Sequence, residues 1–309
     1  MRILSLHHVT ATVDGAQDDL DFGIGVLGLR LVKKTVNFDN HHVFHFYYGD
    51  RVGTPGTIWT TFPYRNHDVR IGTKGAGQVT ATVFSVPAGE LNAWRVRLGS
   101  RGIAVADLEP RFGAAAIGFS DLSGLAFELV SVADAREPWT RTVEADMAIR
   151  GLHSVAITVR DAGPTVDFMR TQLGYRVVDE TDGRIRVAVG HGGPGHLIDV
   201  VHRHDAPPAV NGIGTVHHVA MAIGSDAEQL ALRERLIASG SKVTEVRDRC
   251  YFKSIYFREP GGVLFEVATT APGFTSDEPA DALGRDLKLP PWEEANRADI
   301  EAHLPAVRY

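Results

Sequence analysis

Residues 151–202 read GLHSVAITVRDAGPTVDFMRTQLGYRVVDETDGRIRVAVGHGGPGHLIDVVH, and this stretch carries one complete structural unit. GLHSVAITV is rich in β-branched residues and reads as a strand. Val166, Met169 and Leu173 then recur at helical spacing as an apolar stripe, and Gly174 stands where a left-handed residue closes a helix. YRVVDET, RIRVAVG and HLIDVVH complete the unit as three further strand-like runs. The order is β-α-β-β-β.

Working outward, the same order recurs three more times. The first copy has LSLHHVTATV, a helical stretch ending at Gly28, then LRLVKKTVNF, HHVFHFYYGD and TIWTTFPY. The second has GQVTATVFSV, a helix from about Gly89 to Gly102, then IAVADLEP, AAAIGFSD and LAFELVSV. The fourth has GTVHHVAMAI, a helix closing at Gly240, then KVTEVRD, YFKSIYF and VLFEVAT. The chain is therefore expected to be α+β, with four βαβββ modules in two tandem halves and each four-stranded sheet covered on one face by its helix. Residues 1–135 would hold modules one and two, and 150–271 modules three and four. Ala133 to Ile149, charged and containing Pro138, reads as a linker. Residues 272–309 lose the repeat and form a tail, with a short helix expected near Trp292 to His303.

The length of 309 residues suits this duplicated plan, and 44% hydrophobic with 23% charged residues excludes a disordered or disulfide-stapled chain. A net charge of −6 gives no reason to expect nucleic acid or an anionic membrane as partner. No run of about 18 apolar residues occurs. The opening MRILSLHHVTATVDG meets two His and an Asp before any signal-peptide core could form, so a cytoplasmic location is expected. Cys250 is the single cysteine, which rules out an intrachain disulfide and a cysteine-based zinc site. Fourteen histidines are the unusual feature.

The first strands align as Leu6-His7-His8-Val9, Val216-His217-His218-Val219 and Leu152-His153-Ser154-Val155. Neighbouring strand residues face opposite ways, so His8 and His218 share one register while His7, His153 and His217 share the other. Glu266 lies amid apolar neighbours in Val263-Leu264-Phe265-Glu266-Val267, where a buried carboxylate needs a partner, and a cation is one remedy.

These modules resemble the vicinal oxygen chelate (glyoxalase-like) superfamily, whose paired units curl around a metal with ligands on first and last strands. The run Ile255-Tyr256-Phe257-Arg258-Glu259-Pro260-Gly261-Gly262-Val263-Leu264-Phe265-Glu266 resembles the extradiol ring-cleaving dioxygenase motif. LHHVT, HHVA, YFKSIYFREPGGVLFE, the tail LGRDLKLPPW and GDRVGTPGTIWTTFP together are similar to the branch acting on hydroquinones, the hydroquinone 1,2-dioxygenases. The resemblance implies a non-haem Fe(II) enzyme, with Mn(II) as the alternative metal, that inserts O2 into a small aromatic diol. It implies His8, His218 and Glu266 as metal ligands and His7, Thr10, His217, Arg249 and Tyr256 around them. Around such a metal, His7 and His217 would accept or hold a hydroxyl proton near neutral pH, where His titrates, Tyr256 would donate to a substrate oxygen, and Arg249 would balance negative charge. Catechol enzymes carry a His shortly before the Tyr; here the nearby positions are Arg247, Asp248 and Arg249, which points to para-diols.

The alternatives are a catechol extradiol dioxygenase, a glyoxalase-like isomerase, and a non-catalytic binding or resistance protein of the same superfamily. A glyoxalase would want a fourth ligand, and Thr57-Ile58-Trp59-Thr60-Thr61 offers no carboxylate there. Glu128 reads as a relic of the Glu266 pattern, because its module begins Val79-Thr80-Ala81-Thr82 without a His. His153 is expected not to bind the metal, His41, His42 and His45 to face solvent, and Cys250 to serve packing. HGGPGH at 191–196 lacks the strand-to-helix context of a phosphate loop. No nucleic-acid or membrane partner is expected, and a homo-oligomer is left open.

Overall fold

The computed structural model describes residues 2–181 and 183–309. Module one comprises β1 (Ile3–Val13), α1 (Ala16–Leu20) running into a π turn (Asp21–Val26), β2 (Arg30–Asn37), β3 (Asn40–Gly49) and β4 (Ile58–Pro63). Module two comprises β5 (Gln78–Val86), α2 (Leu91–Gly99), β6 (Ala106–Arg111), β7 (Ala114–Ser120) and β8 (Ala126–Ser131). Module three comprises β9 (Gly151–Val159), α3 (Ala162–Leu173), β10 (Arg176–Thr181), β11 (Arg184–Ala188) and β12 (Leu197–His202). Module four comprises β13 (Thr215–Ile223), α4 (Asp226–Ala238), β14 (Arg247–Asp248), β15 (Lys253–Arg258) and β16 (Leu264–Thr269). The α+β architecture of four βαβββ modules is as the repeat predicts. Gly28, Gly102, Gly174 and Gly240 all have positive φ, between 73° and 90°, so each turn uses the conformation that glycine adopts without strain.

The modules do not keep separate four-stranded sheets. They fuse in pairs into two eight-stranded sheets, ordered β14-β15-β16-β13-β1-β4-β3-β2 and β10-β11-β12-β9-β5-β8-β7-β6. The reason is the first strand of each module, which would otherwise leave a row of unpaired N–H and C=O groups at a sheet edge. Antiparallel pairing of β1 with β13, and of β5 with β9, closes these edges in pairs. Modules one and four thus make the first sheet, modules two and three the second, and each sheet takes one module from each half of the chain.

A continuous core joins the sheets. Phe22 of the π turn lies 6.1 Å from Trp59 on the first sheet and 5.1 Å from Phe127 on the second, measured between ring centroids. The α3 stripe Val166, Met169 and Leu173 is buried as its spacing requires. Asp161 caps α3 by accepting from the Gly163 N–H, and Ser225 caps α4 by accepting from the Glu228 N–H. The 133–149 segment is irregular yet fastened, since Arg136 donates to the carbonyls of Gly56 and Leu152 and thereby bridges both sheets. The tail also packs. Phe274 sits 5.0 Å from both Tyr47 and Tyr251, and α5 (Arg297–His303), the helix expected near 292–303, buries Ile300 beside Val36.

Candidate metal centre and active-site cavity

The register of the first sheet builds the site. Val9 pairs with Val219 on the local twofold axis between β1 and β13, and on either side of it His8 faces Ala220 and Thr10 faces His218. Ala220 is in turn opposite Glu266 on β16, and Glu266 opposite Tyr256 on β15. One row across four strands therefore reads His8, Ala220, Glu266, Tyr256. The twofold-related row reads His218, Thr10, Thr60, Tyr47. Residues opposite one another on a sheet point to the same face, so both rows converge on one concavity.

At its floor, His218 Nε2 lies 2.8 Å and His8 Nε2 3.3 Å from Glu266 Oε2, and the two Nε2 atoms are 3.2 Å apart. These separations match the edges of a coordination octahedron whose bonds are about 2.1 Å, with edges of about 3 Å. Glu266 is fully buried, and its Oε2 makes no well-formed hydrogen bond despite the two ring nitrogens beside it. Its Oε1 is held by the Ser254 hydroxyl. Burial opposes the Glu266 charge, but the facing imidazoles outweigh it and hold the carboxyl well below the ordinary range. Burial in turn pushes His218 down against the pull of Glu266. The three groups act as one unit that wants a cation among them, a shared proton or a metal ion.

The paired histidines aim the rings. His7 Nδ1 is 2.8 Å from His8 Nδ1, and His217 Nδ1 is 2.8 Å from His218 Nδ1, so in both cases the bond is made on the far side of the ring from the Nε2 that faces Glu266. This second-side bond fixes tautomer and orientation, the usual device for a metal-binding imidazole. The cavity above encloses about 240 Å³, room for a single-ring molecule, and its wall includes Thr10, His45, Tyr47, His217, Arg249 and Tyr256. His7 does not reach it.

The comparisons with known proteins follow the same lines. The chain is 40% identical over 99% of its length to MhqE of Bacillus subtilis, provisionally named a ring-cleaving dioxygenase, with 99% of that protein covered. It is 36% identical to chlorohydroquinone/hydroquinone 1,2-dioxygenase of Sphingobium indicum over 97% of this chain and 95% of that one. Residues 151–267 match the profile of the Glyoxalase/Bleomycin resistance protein/Dioxygenase superfamily. The chain belongs to that superfamily, among its ring-cleaving dioxygenases. A crystal structure of a protein from Bacillus subtilis, provisionally named a dioxygenase, superposes on this dioxygenase with a TM-score of 0.95 at 38% identity, covering 99% and 98% of the two chains. Glyoxalase I from Zea mays shares the fold with a TM-score of 0.64 at 17% identity, over 87% of this chain and 92% of that one.

Within the dioxygenase, each expected site residue has a definite place. Thr10 accepts from Thr60 (3.0 Å), which itself lies 2.8 Å from His45 Nε2, leaving the Thr10 hydroxyl proton for the cavity. Tyr256 is 3.2 Å from Arg249 Nε, whose guanidinium also reaches Asp39 at 3.1 Å. Burial and Glu266 push the Tyr256 phenol up, so it keeps its proton. Burial, and after it the neighbouring histidine, pushes His7 and His217 down to about 3, so both rest neutral. His153 belongs to the other sheet, where it bonds to Ser154 at 3.0 Å.

His45 is corrected as well. It is buried on the cavity wall rather than solvent-facing, because β3 alternates Phe44, Phe46 and Tyr48 into the core with His45 and Tyr47 on the opposite face. The alternation in HHVFHFYY was the available signal. Thr60 occupies the position that corresponds to Glu266, so a four-ligand glyoxalase set lacks its fourth ligand, a carboxylate, here. The second sheet shows the reverse. Asp199 and Glu128 fill its two carboxylate positions, while Ala81 and Ser154 stand where the first sheet has imidazoles. Arg186 grips Asp199 at 2.7 and 2.9 Å, and Arg111 grips Glu128 with two bonds of 2.8 Å, so arginines have taken the cation's place. Half-buried Cys250 has its thiol pushed up to about 12 by burial and nearby carboxylates, which leaves no thiolate for nucleophilic chemistry.

Proposed function

We propose that this ring-cleaving dioxygenase acts on hydroquinone-type para-diols and depends on Fe(II) held by His8, His218 and Glu266. The observation that carries the reading is the triad itself: two Nε2 atoms and a carboxylate oxygen, mutually 2.8–3.3 Å apart, on the floor of a single-ring cavity. Two imidazoles and one carboxylate favour a non-haem iron with positions left open. Bound there, Fe(II) would supply the activation of O2 next to a substrate oxygen.

The chain's own groups then have separate tasks. Arg249, charged at every working pH, balances an ionised substrate hydroxyl without taking up its proton. Tyr256 donates a hydrogen bond to a substrate oxygen, and Thr10, backed by Thr60 and His45, offers a second donor from the opposite wall. With the His218 Nδ1–H donating to its Nδ1, neutral His217 carries its proton on Nε2 and donates it to a substrate oxygen at the rim. His7 keeps the His8 ring in place. With an arginine where the catechol enzymes have a histidine, the wall binds an anionic oxygen and lacks a proton shuttle, which favours a diol whose second hydroxyl lies across the ring. The S. indicum relative, named for chlorohydroquinone and hydroquinone, supports the same reading.

The test is metal content together with turnover. His218→Ala should lose bound iron while its circular dichroism stays native, and His153→Ala should retain it; full iron in folded His218→Ala overturns the ligand set. Anaerobic protein reconstituted with Fe(II) and then given O2 should open substituted hydroquinones with a higher kcat/KM than the matching catechols. Equal or better turnover of catechols overturns the substrate class.

A further inference from the structure

Among the described residues two groups of side chains have the composition and spacing to hold a metal ion, and the second lies outside the cavity. It is formed by His41 and His42 at the start of β3 together with Asp299 of α5, with ligand atoms all within 4.8 Å of one another. His42 Nε2 is 2.8 Å from Asp299 Oδ2. His41 Nδ1 is 2.9 Å from Glu293 Oε2, and the His303 ring stacks on His42 at 4.0 Å between centroids. Three imidazoles and two carboxylates thus meet where the tail lies across the β2–β3 hairpin.

From this geometry we infer a second divalent-cation site for a zinc-class ion, with His41, His42 and Asp299 as ligands and Glu293 holding the His41 ring. Imidazole nitrogen with carboxylate oxygen is the donor set of such ions, whereas Ca2+ and Mg2+ prefer oxygen alone. A cation placed there would balance the Asp299 and Glu293 carboxylates that face these imidazoles. The ligand side chains are a third or more exposed for His41, His42 and Asp299, so an ion can enter from solvent without unfolding.

The site would fasten the tail to the hairpin whose tip forms the cavity mouth. Phe38 and Asp39, the residues of that tip, line the cavity; Asp39 holds Arg249, and Phe38 packs edge-on against Trp292 of the tail at 5.7 Å. An ion at His42 and Asp299 therefore closes a ring of contacts from tail to hairpin tip to Arg249.

Calorimetric titration of the iron-loaded enzyme with ZnCl2 tests this. The wild type should take up one equivalent more than His42→Ala, and Asp299→Asn should weaken that equivalent at least tenfold. Glu301→Gln, on the same helix, should leave it unchanged. Zinc that displaces iron from the triad enters all four proteins alike and cancels in the difference. Zinc should also slow proteolysis within residues 284–309 of the wild type and have no such effect on His42→Ala. Equal uptake and equal affinity in wild type and His42→Ala overturn the site and leave a hydrogen-bonded contact between tail and hairpin.

Discussion

Arg247 and Arg249 are two residues apart and both reach Asp39, yet their surroundings differ. The Arg249 side chain is 16% exposed and bonds to Tyr256, while that of Arg247 is 48% exposed and, among the described residues, pairs only with Asp39. Burial works against the Arg249 charge, and Tyr256 with Asp39 and Glu266 outweighs it. Replacing Arg249 with Ala should therefore lower kcat/KM on the order of a hundredfold, as loss of one well-placed donor does. Arg247→Ala should stay within about threefold, and steady-state kinetics on a hydroquinone separates the two. At this scale the sequence was most legible where residues repeat. The doubled histidines of modules one and four share a register, and that register is what sets His8 and His218 beside Glu266. His45 escaped because a third histidine in an aromatic strand has no repeat to compare with; its counterpart in module four is Ser254, which shares the location and none of the chemistry.

Elements are held to the sheets by a few buried polar groups, and α1 shows how. Asp19 is buried, accepts from the Tyr48 hydroxyl at 2.7 Å and the Thr61 hydroxyl at 2.5 Å, and leaves Oδ1 without a partner. Burial raises its carboxyl to about 7 although both hydroxyls pull the other way. The unfolded chain ionises this group near 3.8. The folded chain keeps the proton longer, so the contribution is full below that pH and is lost as pH rises toward 7, at roughly 1.4 kcal/mol per unit. Asp19→Asn should leave stability at pH 4 nearly unchanged and raise it at pH 8, measured by urea unfolding at both values. The helix positions were readable from apolar spacing and closing glycines. The π turn after α1 was not, since Asp21–Val26 contains two glycines and no periodic signal that separates π from α winding.

For the whole molecule, the tail acts as a second wall for the first sheet. Lys33 of β2 is fully buried and bonds to Glu278 and, at 2.5 Å, to Asp277. Glu278 is buried too, so Lys33→Met would leave a carboxylate without its cation, at a cost of about 3–5 kcal/mol. A matching fall in the urea midpoint, with recovery on adding Glu278→Leu, is the expected result. Composition and repeat made the four modules plain, but not which of them pair. Every module has the same period and the same bare first strand, so adjacency in sequence and adjacency in space fit equally well. Only the imidazoles of modules one and four, with Glu266, tied the ends of the chain together.

That pairing has a consequence for how the protein is made. The second sheet uses strands between Gln78 and His202, so all eight have left the ribosome while the first sheet still lacks half of its strands. β1 waits, its edge unpaired, until β13 emerges more than two hundred residues later. Glu266, on the last strand of all, completes the trio begun by His8. On the proposed ligand set, metal loading is thus a late event in the life of each new chain, and a chain cut short before Leu264 carries one finished sheet and both imidazoles but no carboxylate to join them.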